Sequence, residues 1–242
     1  MNYHYADHNP YSTDRCLQGN FVIGNGDLYF IKTQNAESKT IEVHRMPGPD
    51  FDKFDIQTAT AFGIVEGAEG VWTVDNGDLY FIETGRNVPG IVQVHSAPHQ
   101  HNFQHIKHYI SKLAFLEPGD RTYTIRGGDL YLILDDFTQS DYVEVYCAKG
   151  TTGYESVASF VTGFKVNEVA GYGSWHIGQN GDLYLIKMYA TASGMVEIHI
   201  ATFKSRYQEI KSYSTAFKAD NKTGGYYKNA SIPENTVGIW MI

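Results

Sequence analysis

The chain has 242 residues, 42% of them hydrophobic and 19% charged, which is enough apolar material for an ordinary core and excludes a disordered polymer. Its formal net charge of −8 at pH 7 argues against a nucleic-acid or anionic-membrane partner, which needs a basic face. No apolar run reaches the ~20 residues of a membrane-spanning helix, so membrane insertion is not expected.

The chain opens "MNYHYADHNP", with neither a basic stretch nor an apolar one, so no secretory leader is expected. The expected location is therefore the cytoplasm, or release without a signal peptide. Cys16 and Cys147 fall at different points of the pattern described next, so no bridge between them is expected, which fits a reducing compartment.

From Phe21 onward a unit begins that returns three more times. Its first strand leads into "GNGDLYFIKT" (24–33), where Asn-Gly predicts a two-residue hairpin turn with positive φ at both central positions. The strand "IEVHRM" (41–46) follows, and then "FDIQTATAF" (54–62). The second unit repeats the order with Trp72, "DNGDLYFIET" (75–84), "VQVHSA" (92–97) and "IKHYISKLAF" (106–115). The third has Tyr123, "RGGDLYLILD" (127–136), "VEVYCA" (143–148) and "VASFVTGF" (157–164). The fourth has Trp175, "QNGDLYLIKM" (179–188), "VEIHIA" (196–201) and "IKSYSTAF" (210–217). The aspartates Asp27, Asp78, Asp129 and Asp182 measure the period at 51, 51 and 53 residues. A phrase used four times is a building unit rather than a catalytic motif.

The GDLY strand is apolar on both faces and must be covered on both, whereas the VEVH strand alternates. Four short strands per unit, stacked around an axis, predict an all-β propeller. Two remnants flank the full repeats. "VGIWMI" (237–242) stands where a fifth GDLY strand is due, and "NYHYAD" (2–7) aligns with "EIHIAT" (197–202), placing His4 on His199. The expectation is therefore one domain, 1–242, folded as a five-bladed propeller of four-stranded blades, with a four-bladed ring capped by the termini as the alternative. Its repeats span about 20–62, 63–115, 116–165 and 166–218, and a closing blade combines 219–242 with 1–19. A ring closed in this way leaves no free sheet edge.

The repeated phrase "DLYFIKTxN…VEVH" resembles propeller repeats of the FG-GAP/VCBS type, and about 48 residues per blade is similar to five-bladed lectins of the tachylectin and tectonin kind. The resemblance implies a multivalent sugar-binding protein with one shallow site per blade or blade junction, N-acetylhexosamines being the first candidate ligands. It also brings the calcium loops found in FG-GAP repeats. Here the turn loops hold too few acidic oxygens for that ion, so no metal and no cofactor is expected.

The residues weighed for a site are few. The four repeated aspartates read best as backbone acceptors within their hairpins. The pairs Glu42/His44 and Glu197/His199 share a strand face and read as hydrogen-bonded neighbours, and the tract His95, His99, His101, His105, His108 as a solvated loop with its flanking strands. The aromatic residues opening the blades, Trp72, Tyr123, Trp175 and Tyr227, are expected at blade junctions as platforms for sugar C–H faces. Polar partners are expected from loops at the same end of the ring: Asn35, Glu66, Arg86, Asn87 and Asn167. An enzyme needs one unequal constellation of acid, base and nucleophile, whereas this chain spends its regularity on equivalent positions. The reading is a glycan- or glycoprotein-binding lectin with no catalytic residues. A propeller glycosidase using Asp75, Asp120 or Glu234, and a protein-interaction propeller, are the alternatives.

Overall fold

The computed structural model of the chain describes residues 19–34, 36–63, 70–84, 90–114, 121–170 and 172–219. Among these, sixteen strands form four antiparallel sheets, each running in sequence order. Blade 1 holds β1 (Gly19–Gly24), β2 (Asp27–Lys32), β3 (Thr40–Met46) and β4 (Ile56–Gly63). Blade 2 holds β5 (Gly70–Asp75), β6 (Asp78–Glu83), β7 (Ile91–Ala97) and β8 (Lys107–Ala114). Blade 3 holds β9 (Arg121–Arg126), β10 (Asp129–Leu134), β11 (Tyr142–Ala148) and β12 (Val157–Lys165). Blade 4 holds β13 (Gly173–Ile177), β14 (Leu183–Lys187), β15 (Met195–Ala201) and β16 (Ile210–Lys218). The first strands β1, β5, β9 and β13 neighbour one another in turn and form the inner wall of a β-propeller. One turn of α-helix, α1 (Val166–Val169), lies where the chain crosses from blade 3 to blade 4, and 3-10 turns at His99–His101, Gly150–Thr152 and Phe203–Ser205 lie between the third and fourth strands of blades 2 to 4.

The hairpin chemistry explains the first three turns. Asn25 and Gly26 sit at φ 53° and 86°, Asn76 and Gly77 at 50° and 86°, Gly127 and Gly128 at 58° and 78°. Only Gly, or a short amide side chain, adopts this region cheaply. The fourth turn departs from the expectation. Ile177 pairs with Leu183, which leaves a loop closed by Gly178 N–H to Asp182 O and Gly181 N–H to Gly178 O, both 2.9 Å. The cause is one extra residue: seven positions separate Trp175 from Asp182, where six separate Trp72 from Asp78.

The core lies between blades. Ile31 and Val43 of blade 1 meet Val74, Leu79 and Phe81 of blade 2; Ile82 and Val94 meet Ile125 and Leu132 of blade 3; Ile133 and Val145 meet Trp175, Ile177 and Leu185 of blade 4. Each fully buried aliphatic side chain contributes about 1.5–3 kcal/mol. Among the described residues there are four blades, where five were expected. The segments expected to build the fifth, 1–19 and 219–242, lie outside the described residues apart from Gly19 and Ala219. No helix among the described residues is long and apolar enough to cross a membrane.

Candidate ligand-binding clefts between blades

Strand register places the blade-opening aromatics first in a cross-strand row. The rows run Phe21–Phe30–His44–Gln57, Trp72–Phe81–His95–His108, Tyr123–Leu132–Tyr146–Ser159 and Trp175–Leu185–His199–Ser212. The rows of blades 2, 3 and 4 face the preceding blade, and this corrects the expectation of open platforms at Trp72, Tyr123 and Trp175. Trp175 is 4% exposed; its indole N–H donates to Asp135 Oδ2 of blade 3 at 2.8 Å and Phe164 meets its ring edge-on at 5.2 Å. Tyr123 is buried, and Trp72 is stacked on Phe81 at 4.5 Å with Phe62 of blade 1 against it. A sugar needs an open ring face, and these rings spend theirs on the core. Tyr227, Asn35, Glu66, Arg86 and Asn87 lie outside the described residues.

Asn167 stands on α1, where it lines an open cleft of about 500 Å³ with Asp141, Tyr142, Lys165 and Tyr172. This is the one expected polar partner that the described residues bring beside aromatic rings. The Lys187 ammonium sits 5.4 Å from the Tyr172 ring centre, in cation–π range, and its Nζ donates to Glu168 O at 3.3 Å.

The repeated aspartates do something other than cap their own hairpins. Asp27, Asp78, Asp129 and Asp182 each accept, through Oδ1, the backbone N–H of the residue 21 positions on: Gly48 at 3.1 Å, His99 at 2.9 Å, Gly150 at 3.0 Å and Phe203 at 2.7 Å. Each therefore clamps the loop between the third and fourth strands to the hairpin between the first and second. Asp129 also holds the Lys149 ammonium at 2.6 Å. Asp129→Ala is expected to cost about 1–2 kcal/mol by orphaning the Gly150 N–H. Urea denaturation followed by tryptophan fluorescence measures this, and an unchanged midpoint would make the clamp incidental.

The Glu–His pairs come within ion-pair distance, at 3.5 Å for Glu42/His44 and 3.3 Å for Glu197/His199, but neither His Nε2 makes a hydrogen bond among the described residues; Tyr146 donates to Glu144 at 2.6 Å in the third unit. In blade 2 the acid comes instead from the neighbouring strand: Glu83 Oε2 lies 3.0 Å from His95 Nε2, while His95 Nδ1 lies 2.6 Å from His108 Nδ1. His99 pairs with Asp78, and His101 stacks on His105 at 4.6 Å. Among the described residues no three His, Cys, Asp or Glu side chains are grouped to hold a metal. Asp75, a candidate acid in the glycosidase alternative, is 2% exposed and accepts from Gly128 N–H at 2.9 Å and the Asn76 amide at 3.2 Å, tying two hairpin turns together. Asp120 and Glu234 lie outside the described residues. Cys147 is a buried free thiol whose pKa burial raises, and Cys16 is likewise outside.

The cleft that sequence reasoning missed lies between blades 2 and 3, at the hairpin-turn end of the ring. It has a volume of about 320 Å³. One wall is the row Tyr80–Ser96–Lys107 with Tyr109; the other is Asp129, Thr151 and Tyr154 with the bare backbone of Gly127 and Gly128. Tyr109 and Tyr154 meet edge-to-face at 5.4 Å. None of the three phenol oxygens has a hydrogen-bond partner among the described residues. Burial first, then the neighbouring aspartates Asp78 and Asp75, push the Tyr80 hydroxyl up to about 12, so it stays a donor at neutral pH. The signal available in sequence was the tyrosine of the GDLY phrase, present in every unit as Tyr29, Tyr80, Tyr131 and Tyr184. At the other described junctions that tyrosine meets different neighbours. Phe103 stands where Tyr154 does, and Tyr207 spends its hydroxyl on Gly181 O at 2.9 Å.

The fold is a β-propeller of repeated four-stranded blades with clefts at its blade junctions. No protein-family model matches the sequence, and no curated protein does. Among solved structures, a chain described as "Crystal structure of the eukaryotic initiation factor" is 8% identical at a TM-score of 0.34; the match covers 82% of this chain and 43% of that one. This chain thus spans less than half the length of that protein, and a likeness so slight carries no argument about function.

Proposed function

We propose that the protein is a non-enzymatic, multivalent carbohydrate-binding propeller, its ring completed by a fifth blade drawn from both termini. The observation that carries the binding reading is the cleft between blades 2 and 3. Sugars offer C–H faces that pack on aromatic rings, and hydroxyls that need donors and acceptors in fixed places. Tyr80, Tyr109 and Tyr154 supply both at once, ring faces and unspent hydroxyls, with the Lys107 ammonium and Asp129 carboxylate at the rim. The cleft by α1, with Tyr142, Tyr172 and Asn167, has the same composition and is the second candidate. Shallow sites of this kind bind weakly, on the order of millimolar to tens of micromolar, and gain through multivalency. Asp75, the described acid of the glycosidase alternative, is buried and its Oδ2 accepts from the Gly128 N–H and the Asn76 amide, which supports a structural role for it.

A glycan array, followed by titration of N-acetylglucosamine as monovalent probe, tests this reading. Tyr109→Ala is expected to weaken binding in the junction cleft about tenfold or more, because it removes a ring face and a donor together. Wild-type affinity in a folded Tyr109→Ala variant would move the site to the α1 cleft. An array with no bound glycan would end the lectin reading, and hydrolysis of a bound glycan would end the non-enzymatic one.

A further inference from the structure

The junctions are not equal. In blades 1 to 3 the face turned to the next blade is fully covered: Val43, Val94 and Val145 each have no exposure. The same position in blade 4 is Ile198, which is partly exposed, as is Val196 beside it. Tyr213 of β16 corresponds to Tyr109 and Phe160, which pack edge-on against Tyr154 and Tyr207 of the following blades; Tyr213 is 53% exposed. Across the seam, Phe21 of blade 1, which corresponds to Trp72 and Trp175, is 49% exposed. Blades 1 and 4 touch through Gln179 Nε2 and Asn25 Oδ1 at 3.5 Å, the outer limit of a hydrogen bond.

A second repeated device points across the same seam. In each covered junction one N–H near the end of the fourth strand donates to a carbonyl of the next blade's loop: Ala61 to Phe103 at 3.1 Å, Lys112 to Tyr154 at 3.1 Å, and Gly163 to Tyr207 at 2.9 Å. In blade 4 the corresponding donor is Ala216. The accepting residue stands eight positions after the His or Tyr of the VEVH strand, Phe103 after His95, Tyr154 after Tyr146 and Tyr207 after His199, and the corresponding place in blade 1 is Phe51, seven after His44. In "YHYADHNPY" (3–11) it is Tyr11, seven after His4, and the nine residues align without a gap on "VHRMPGPDF" (43–51).

We infer that the exposed face of blade 4 is the docking surface for the chain's own N-terminal segment, with the Tyr11 carbonyl accepting the Ala216 N–H and the Tyr11 ring packing on Tyr213. This rests on the five-blade reading and names which terminus, and which residue, meets blade 4. The face is apolar and half open, its neighbours set the geometry, and residues 1–18 carry the one matching sequence on this side of the seam. A partner's interface would have no reason to repeat an internal register.

Amide exchange followed by NMR on the full chain tests this at Ala216. Its N–H is expected to exchange at least about a hundredfold more slowly than a solvated amide, in the range of Ala61 and Gly163. Removing residues 1–12 is expected to abolish that protection, or to unfold the chain. A double-mutant cycle of Tyr11→Ala with Tyr213→Ala is expected to show a coupling of about fivefold in the unfolding constant, as Tyr109→Ala with Tyr154→Ala should. An unprotected Ala216 in the full chain overturns both the docking and the five-blade reading. Protection that survives loss of 1–12 but not of 226–242 overturns the Tyr11 assignment and leaves a fifth blade standing. Protection that grows with protein concentration assigns the seam to a second copy and overturns the inference.

Discussion

Trp175→Ala is expected to destabilise the protein by about 3–5 kcal/mol while leaving sugar affinity of the folded fraction unchanged. The indole fills the space between blades 3 and 4, packed with Phe164 and Ile177, so truncation opens a cavity that rigid strands on both sides cannot collapse. The loss has a second part. Trp175 donates to the buried Asp135 carboxylate at 2.8 Å, and truncation removes that hydrogen bond as well. Trp175→Phe separates the two: it keeps most of the volume and forfeits the hydrogen bond, and is expected to cost about 1–3 kcal/mol. Denaturant melts of the three proteins, with sugar titrations at low denaturant, decide the matter. Lost sugar binding in a stable Trp175→Ala protein would restore the ring as a platform.

Acid is expected to lower stability in two stages. His44, His95, His176 and His199 all have lowered pKa values, and burial is the largest cause in each. Glu42 pulls His44 back up, as Glu83 does His95 and Glu197 does His199. Lys32, His108 and Lys187 oppose those acids, and Arg126 pushes His176 further down. A base depressed in the folded state binds its proton more readily when unfolded. The stability it supports is therefore present above the unfolded value of about 6.5 and lost as pH falls below it. Glu42 and Glu197 act lower down. Burial raises them, but the Ser38 and Ser193 hydroxyls and N–H groups, with Lys32, His199 and Lys187 nearby, outweigh it and leave both net lowered. Their contribution is present above about 4.5 and lost below. The melting temperature should thus fall between pH 7 and 5 and again below 4.5, and His95→Gln should flatten the first stage. A melting temperature constant from pH 7 to 5 would contradict it.

The architecture was legible because the GDLY phrase carries its own turn chemistry: Asn-Gly and Gly-Gly dictate the hairpin, and the period dictates the blade. The aromatic rows were legible as strands and illegible in direction. Trp72 and Trp175 read identically whether they face a sugar or a neighbouring blade, since the partner that decides the question, Asp135 for Trp175, sits 40 residues away. The aspartate clamp was half legible: a short acceptor after a turn glycine was plain, but its donor 21 residues on depends on how the later loop folds back. The cleft at Tyr80, Tyr109 and Tyr154 belongs to two blades at once, and a repeat read one unit at a time shows only half of it.

That clamp also bears on how the chain reaches its native state. Every strand pairs with its neighbour in sequence, and the aspartate secures each blade over 21 residues, so most of the ordering entropy is met by short loops. Pairing between sequence neighbours keeps each blade's own strand contacts local, and local contacts form fast. A nascent chain can therefore assemble one blade after another as it emerges from the ribosome, each new unit finding the apolar side of the last already in place.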